Sequence, residues 1–270
     1  MNFKMNKEYV QFTNTRNPKH KAGLYHLYGE LRTALICSYI WNLKPILPVW
    51  WMRGRWQSGT RKYSNLSEYY DFSRLTIKKR KIECFYSTDG LDPNLILNTD
   101  LPIESPGGYH SPANNVRTFD KHDYFLPKSS FVIEESKKVS HKLGDEYGVI
   151  HIRRTDKLTE PNDTHRDGYS ISHYDTATRP KNIIDTLKNT DAPKNIYMMT
   201  DEPRDSDIIK ELQKNTDYDF YFYFMFDGLE EIKAKDNYLL FAIEGNIAKC
   251  NDNNYFRFTT DFCKNLENKK

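Results

Sequence analysis

Cysteine is scarce: four residues in 270, namely Cys37, Cys84, Cys250 and Cys263, with no two spaced as a metal-binding pair. That excludes a dense disulfide framework and a cysteine-built zinc module, and it leaves reduced thiols in a cytosol-like compartment as the expectation. Long apolar runs are also missing. The most apolar region, residues 34–52, is interrupted by Asn42, Lys44, Pro45 and Pro48, so it cannot span a bilayer. The opening residues "MNFKMNKEYVQFTNTR" contain no hydrophobic segment of the signal-peptide kind. Nor is there an excess of charge of one sign. Forty Lys and Arg against 37 Asp and Glu leave +3, and the two signs are interspersed, which disfavours a nucleic-acid partner.

What the chain does have is aromatic weight, 19 Tyr and 15 Phe, more than a disordered chain carries. Its length is enough to bury a real core. The hydrophobic pattern predicts a helix over about 29–42, followed by a strand in "PILPVWW", residues 45–51. A short strand is expected over 81–87, and residues 88–118, rich in Pro, Gly, Asn and Asp, are expected to be loop. From about 129 onward helices and strands alternate. Helix 129–143 leads to strand "YGVIHIRR", and a polar loop covers 157–180. There follow a helix in "PKNIIDTLKNT", a strand in "KNIYMMT", a helix in "RDSDIIKELQKNT" and a strand through 218–226. A helix in "DNYLLFAIEGNIAKC", a short strand in "NNYFRFT" and a terminal helix complete the chain. That alternation predicts an α/β fold with a parallel, doubly wound sheet, and two domains, 1–125 and 126–270.

The chemistry concentrates in "GVIHIRRTDK", residues 148–157. In parallel α/β sheets ligands bind beyond the carboxyl ends of the strands. Arg153, Arg154, Asp156 and Lys157 stand at such an end. Alternation places Val149, His151 and Arg153 on one face and Ile150, Ile152 and Arg154 on the other. Guanidinium groups fork onto two oxygens at once and so suit phosphate.

"HIRRTDK" resembles the His-x-Arg-Arg-x-Asp signature of the GDP-fucose-dependent fucosyltransferases, a group that includes the core α1,6-fucosyltransferases and the protein O-fucosyltransferases. Three further segments resemble that family in order: "YMMTDEP" (197–203), "FAIEGNIAKCND" (241–252) and "FRFTTDFC" (256–263). The resemblance spans about 120–270, extends loosely to 20–50 and hardly touches 53–118. It implies a GT-B-like α/β fold of two Rossmann-like lobes, with the donor held mainly by the C-terminal lobe. It also implies inverting transfer of L-fucose from GDP-β-L-fucose to a hydroxyl of a glycan or glycoprotein, without metal or other cofactor. His151 and Glu244 would contact guanine, with Glu244 standing where the family has Asp. Arg153 would hold the diphosphate, with Arg154, Asp201, Glu202 and Asp252 contributing to the donor site. Thr259, Thr260 and Asp261, where the family has Ser-Ser-Gln, would offer the free amides of a helix start. Glu160 would be the general base, Lys157 would bridge toward the phosphate, and Asp156 would be helper or rival. The interval from Asp-Lys to Glu is one residue shorter than in the core α1,6 enzymes. The partners expected are a GDP-sugar and a glycan acceptor, with no nucleic acid and no membrane span. The chain is expected to be cytoplasmic, of microbial or viral origin. Two alternatives are a glycosyltransferase using another GDP-sugar, and a relative that binds nucleotide or glycan without catalysis.

Overall fold

In the computed structural model the chain divides into two compact units, Met1–Val132 and Ile133–Lys270. The structure describes residues 6–13, 24–47, 50–52, 63–100, 103–104, 111–112, 123–152, 154, 158, 170–249 and 255–257. In the first unit, β1 (Tyr9–Thr13) precedes α1 (Leu24–Trp41) and β2 (Lys44–Ile46). Two antiparallel pairs follow: β3 (Trp50–Met52) with β4 (Tyr63–Asn65), and β5 (Thr76–Ile77) with β6 (Arg80–Lys81). Next come β7 (Ile96–Asp100), the pair β8 (Ile103–Glu104) and β9 (Ser111–Pro112), and β10 (Tyr124–Phe125), which pairs with β5.

The first unit's parallel sheet has the order β2-β1-β7. Its central strand, β1, comes from the polar N-terminal stretch, and β7 comes from the region expected to be loop. Neither has a strong hydrophobic signature: the register sets Gln11 of β1 beside Asn98 of β7, and Val10 of β1 is fully buried. α1 begins earlier than its pattern predicted, and buries Leu31, Ala34, Leu35, Ile36 and Cys37. The expected strand over 45–51 is two strands, β2 and β3. The expected strand over 81–87 reduces to β6 and a single parallel bridge from Phe85 to Ile46.

The second unit is built on α2 (Ser130–Leu143), β11 (Tyr147–Ile152), α3 (Ile171–Ala177), α4 (Pro180–Asn189), β12 (Asn195–Thr200), α5 (Asp207–Gln213), β13 (Asp219–Phe222), α6 (Leu229–Lys235), α7 (Asn237–Lys249) and β14 (Tyr255–Arg257). α2 stops at Gly144, whose φ of +88° suits a residue without Cβ and whose N–H donates to the Ser140 carbonyl at 3.1 Å. The sheet order is β13-β12-β11-β14, every pair parallel. One face presents Ile150, Ile152, Ile196, Met198, Phe220 and Phe222. These pack with Tyr174 and Ala177 of α3, Ile183 and Leu187 of α4, and Ile209 and Leu212 of α5. The opposite face meets α7: the Tyr147 hydroxyl donates to the Ile247 carbonyl at 3.4 Å, and Tyr197 reaches Glu244. α2 in turn is tied to α7 through Ser136, which donates to the Ile243 carbonyl at 3.2 Å.

Three details depart from the sequence pattern. α3 lies inside the span expected to be polar loop, α6 has no predicted counterpart, and the aromatic run 218–226 is strand only through Phe222 before a 3-10 turn over Tyr223–Met225. The terminal helix expected after residue 259 lies outside the described residues. Cys37 is buried and Cys84 half-buried, both as free thiols. Burial pushes their pKa values up to about 11 and about 12, so neither is a reactive thiolate. Cys250 and Cys263 lie outside the described residues.

Candidate functional site

Parallel pairing brings the carboxyl ends of the sheet strands to one edge. Ile152 at the end of β11 is in register with Thr200 at the end of β12, and His151 with Arg257 at the end of β14. Arg154, Asp201 and Glu202 therefore stand on the same side of the sheet as the carboxyl end of β14. That is the position at which α/β sheets bind ligands.

Arg154 is the best-defined element of this edge. It is 4% exposed, and its guanidinium is held on several sides. Nε donates to Glu202 Oε1 at 3.0 Å. Nη1 donates to the Asp175 carbonyl at 3.1 Å and to the Thr178 hydroxyl, and Nη2 donates to Asp175 Oδ1. Its own backbone N–H donates to Asp201 Oδ1 at 2.7 Å. The Thr178 hydroxyl passes its proton on to the Tyr174 carbonyl at 2.8 Å, so it meets Arg154 as an acceptor. A buried guanidinium is tolerated only when its charge and donors are matched, and two carboxylates do that here. The alternation of β11 explains the direction: Arg154 falls on the Ile150 and Ile152 face, where α3 packs.

Asp175 serves two arginines. Its Oδ2 accepts from Arg179 Nε at 3.1 Å and Nη2 at 2.7 Å, while Oδ1 faces Arg154. Burial pushes its pKa up, but the hydrogen bonds from Arg179 and Arg154 outweigh that and hold the carboxyl below the usual range. Neither Asp175 nor Thr178 stands out in the sequence, because their partner lies 21 and 24 residues earlier in the chain. The one local sign is the cap of α3, where the Ser170 hydroxyl accepts from His173 N–H at 3.1 Å.

His151 and Glu244 share the other face. The His151 ring is half-buried, with its centroid 5.7 Å from that of Phe241 on α7. Glu244, one turn further along, is 6% exposed and accepts from the Tyr197 hydroxyl at 3.1 Å. Burial raises the Glu244 carboxyl to about 8, against smaller opposing effects of Tyr197 and Lys233, and burial likewise drives the Tyr197 phenol well above its ordinary value. Glu244 is thus mostly protonated at neutral pH.

The structure brings together Arg154, Asp201 and Glu202 in one network, and His151 and Glu244 on the opposite face of the same sheet. Arg153, Asp156, Lys157, Glu160, Asp252, Thr259, Thr260 and Asp261 lie outside the described residues. Among the described residues no cluster of His, Cys, Asp and Glu could hold a metal ion, and no helix is long and apolar enough to cross a membrane.

No family model and no curated protein matches this chain. Solved structures do. A crystal structure of POFUT1 in complex with GDP has a TM-score of 0.54 and 12% sequence identity, over 97% of this chain and 93% of that one. POFUT1 in complex with GDP-fucose has a TM-score of 0.51 at 12% identity, over 89% of both chains. A further crystal form with GDP has a TM-score of 0.52, over 94% of this chain and 99% of that one. At that identity the likeness shows the fold alone: a mixed α/β fold with parallel sheets, shared with POFUT1.

Proposed function

We propose that this chain is a GDP-fucose-dependent fucosyltransferase. In this reading it is a GT-B-like enzyme of two lobes whose C-terminal lobe holds most of the donor. It transfers L-fucose with inversion, and without metal, to a hydroxyl of a glycan or glycoprotein. The observation that carries the reading is the placement of Arg154, which stands just beyond the carboxyl end of the parallel strand β11, in a fold like that of a protein crystallised with GDP and with GDP-fucose.

The departing GDP is stabilised by Arg153, with Lys157 beside it, as fixed positive charge waiting for the charge that develops on the leaving diphosphate. Arg154 supports that arrangement from within the fold. Thr259, Thr260 and the backbone at Asp261 offer amide donors. Asp252 belongs to the donor side, and His151 and Glu244 face the base. Glu160 takes the proton from the acceptor hydroxyl, with Asp156 the competing carboxylate.

The reading requires that Arg153→Ala lose about tenfold or more in GDP affinity, since a hydrogen bond to a charged group is worth roughly 1.5–3 kcal/mol. Calorimetry on the folded variant checks this, and unchanged affinity removes Arg153 from the diphosphate. The transfer itself is tested on a glycan array with GDP-fucose. Once an acceptor is found, Glu160→Gln is expected to lower kcat about a hundredfold or more while leaving GDP binding nearly intact. If Asp156→Asn abolishes turnover and Glu160→Gln does not, the base is Asp156.

A further inference from the structure

We infer that Asp175 is a positioning residue that sets the arginine turn after β11 by clamping the guanidinium of Arg154. Only the consequence for donor binding rests on the function proposed above; the clamp itself does not.

The geometry points one way. Arg154 is the first described residue beyond β11, and both its backbone and its side chain are fixed from outside that strand. The N–H is taken by Asp201, from the end of β12, and the carbonyl accepts from Leu158 N–H at 2.8 Å. Leu158 packs against the hydrophobic core of the unit. The residues on either side of Thr155, Asp156 and Lys157 are therefore both anchored. The side chain carries the anchoring further, because Asp175 meets it twice, through the main-chain carbonyl and through Oδ1. Glu202 and Thr178 supply the remaining acceptors. β11, β12 and α3 are thus joined through one guanidinium.

Asp175 is the member of this network that can be changed most cleanly. Its Oδ2 is occupied by Arg179, whose side chain is 63% exposed, so the outer half of the carboxylate can be tested separately from the inner half. Removing Arg179 takes away a solvent-facing partner that contributes little. Removing the charge of Asp175 leaves a buried guanidinium with a single carboxylate, which is costly and local. The same reasoning gives Arg154 a supporting role: with Nε, Nη1 and Nη2 all donating to the protein, it holds its neighbours in place while Arg153 meets the phosphate.

The test is amide exchange, followed by NMR on the full-length chain without nucleotide, at Arg154 and at Tyr197 as a reference inside β12. Asp175→Asn is expected to speed exchange at Arg154 about tenfold or more, with a much smaller change at Tyr197. Arg179→Ala is expected to leave both within about twofold. Thr178→Val, a milder withdrawal of one acceptor, is expected to speed Arg154 several-fold, and it decides the matter if Asp175→Asn does not fold. An unchanged rate at Arg154, or equal acceleration at Arg154 and Tyr197, overturns the positioning role. In parallel, Asp175→Asn is expected to weaken GDP binding about tenfold by calorimetry, and Arg179→Ala to leave it unchanged. A wild-type chain that does not bind GDP overturns the proposed function, and the exchange rates still decide the clamp. Wild-type GDP affinity in a folded Asp175→Asn chain overturns the clamp's link to the donor.

Discussion

At the scale of the residue, Glu244 makes the sharpest claim. Its carboxyl titrates near 4.5 in the unfolded chain and at about 8 in the folded one, because burial penalises the charged form. Between those values the folded chain binds the extra proton. The stability this group contributes is therefore fully present below 4.5, declines as pH rises, and is lost above about 8. Glu244→Gln removes the titration while leaving an oxygen to accept from Tyr197. The variant's urea midpoint relative to wild type is expected to climb between pH 5 and pH 8. A difference that stays constant over that range would mean the carboxyl is not buried as described.

At the scale of the element, α2 and its stop decide how β11 is entered. Gly144 sits at φ +88°, and an added Cβ would meet only Asn195 Nδ2 at 3.9 Å, so the penalty for alanine is backbone strain and not crowding. Gly144→Ala is expected to cost about 1–2 kcal/mol, read by chemical denaturation. A neutral result would mean that α2 ends in another way. The sequence pattern was most informative where elements are long or doubly buried: α2, β11, β12 and α7 all stand where hydrophobic periodicity placed them. It was least informative for short elements with little apolar content. β1 and β7 are five-residue strands whose register pairs Gln11 with Asn98, so partner strands from distant parts of the chain define them. α3 buries just Tyr174 and Ala177, one turn apart, too little for a period to show. The candidate site divides in the same way. The charge cluster after β11 could be read from the chain, whereas the arrest of Arg154 by Asp175 and Thr178 depends on the packing of α3 and has no local signature.

At the scale of the whole molecule, the proposal is that a guanine nucleotide belongs at the edge formed by the carboxyl ends of β11, β12 and β14. In that proposal Arg153 supplies the positive charge, so a chelator is expected to have no effect. The measurement that tests this most directly is the melting temperature of the full-length chain with saturating GDP, and with UDP, each in the presence of EDTA. Ligand that binds only the folded chain raises stability in proportion to the logarithm of its concentration over Kd. GDP is expected to raise the melting temperature with EDTA present, and UDP to do so much less. No shift with GDP, or an equal shift with UDP, would contradict the assignment.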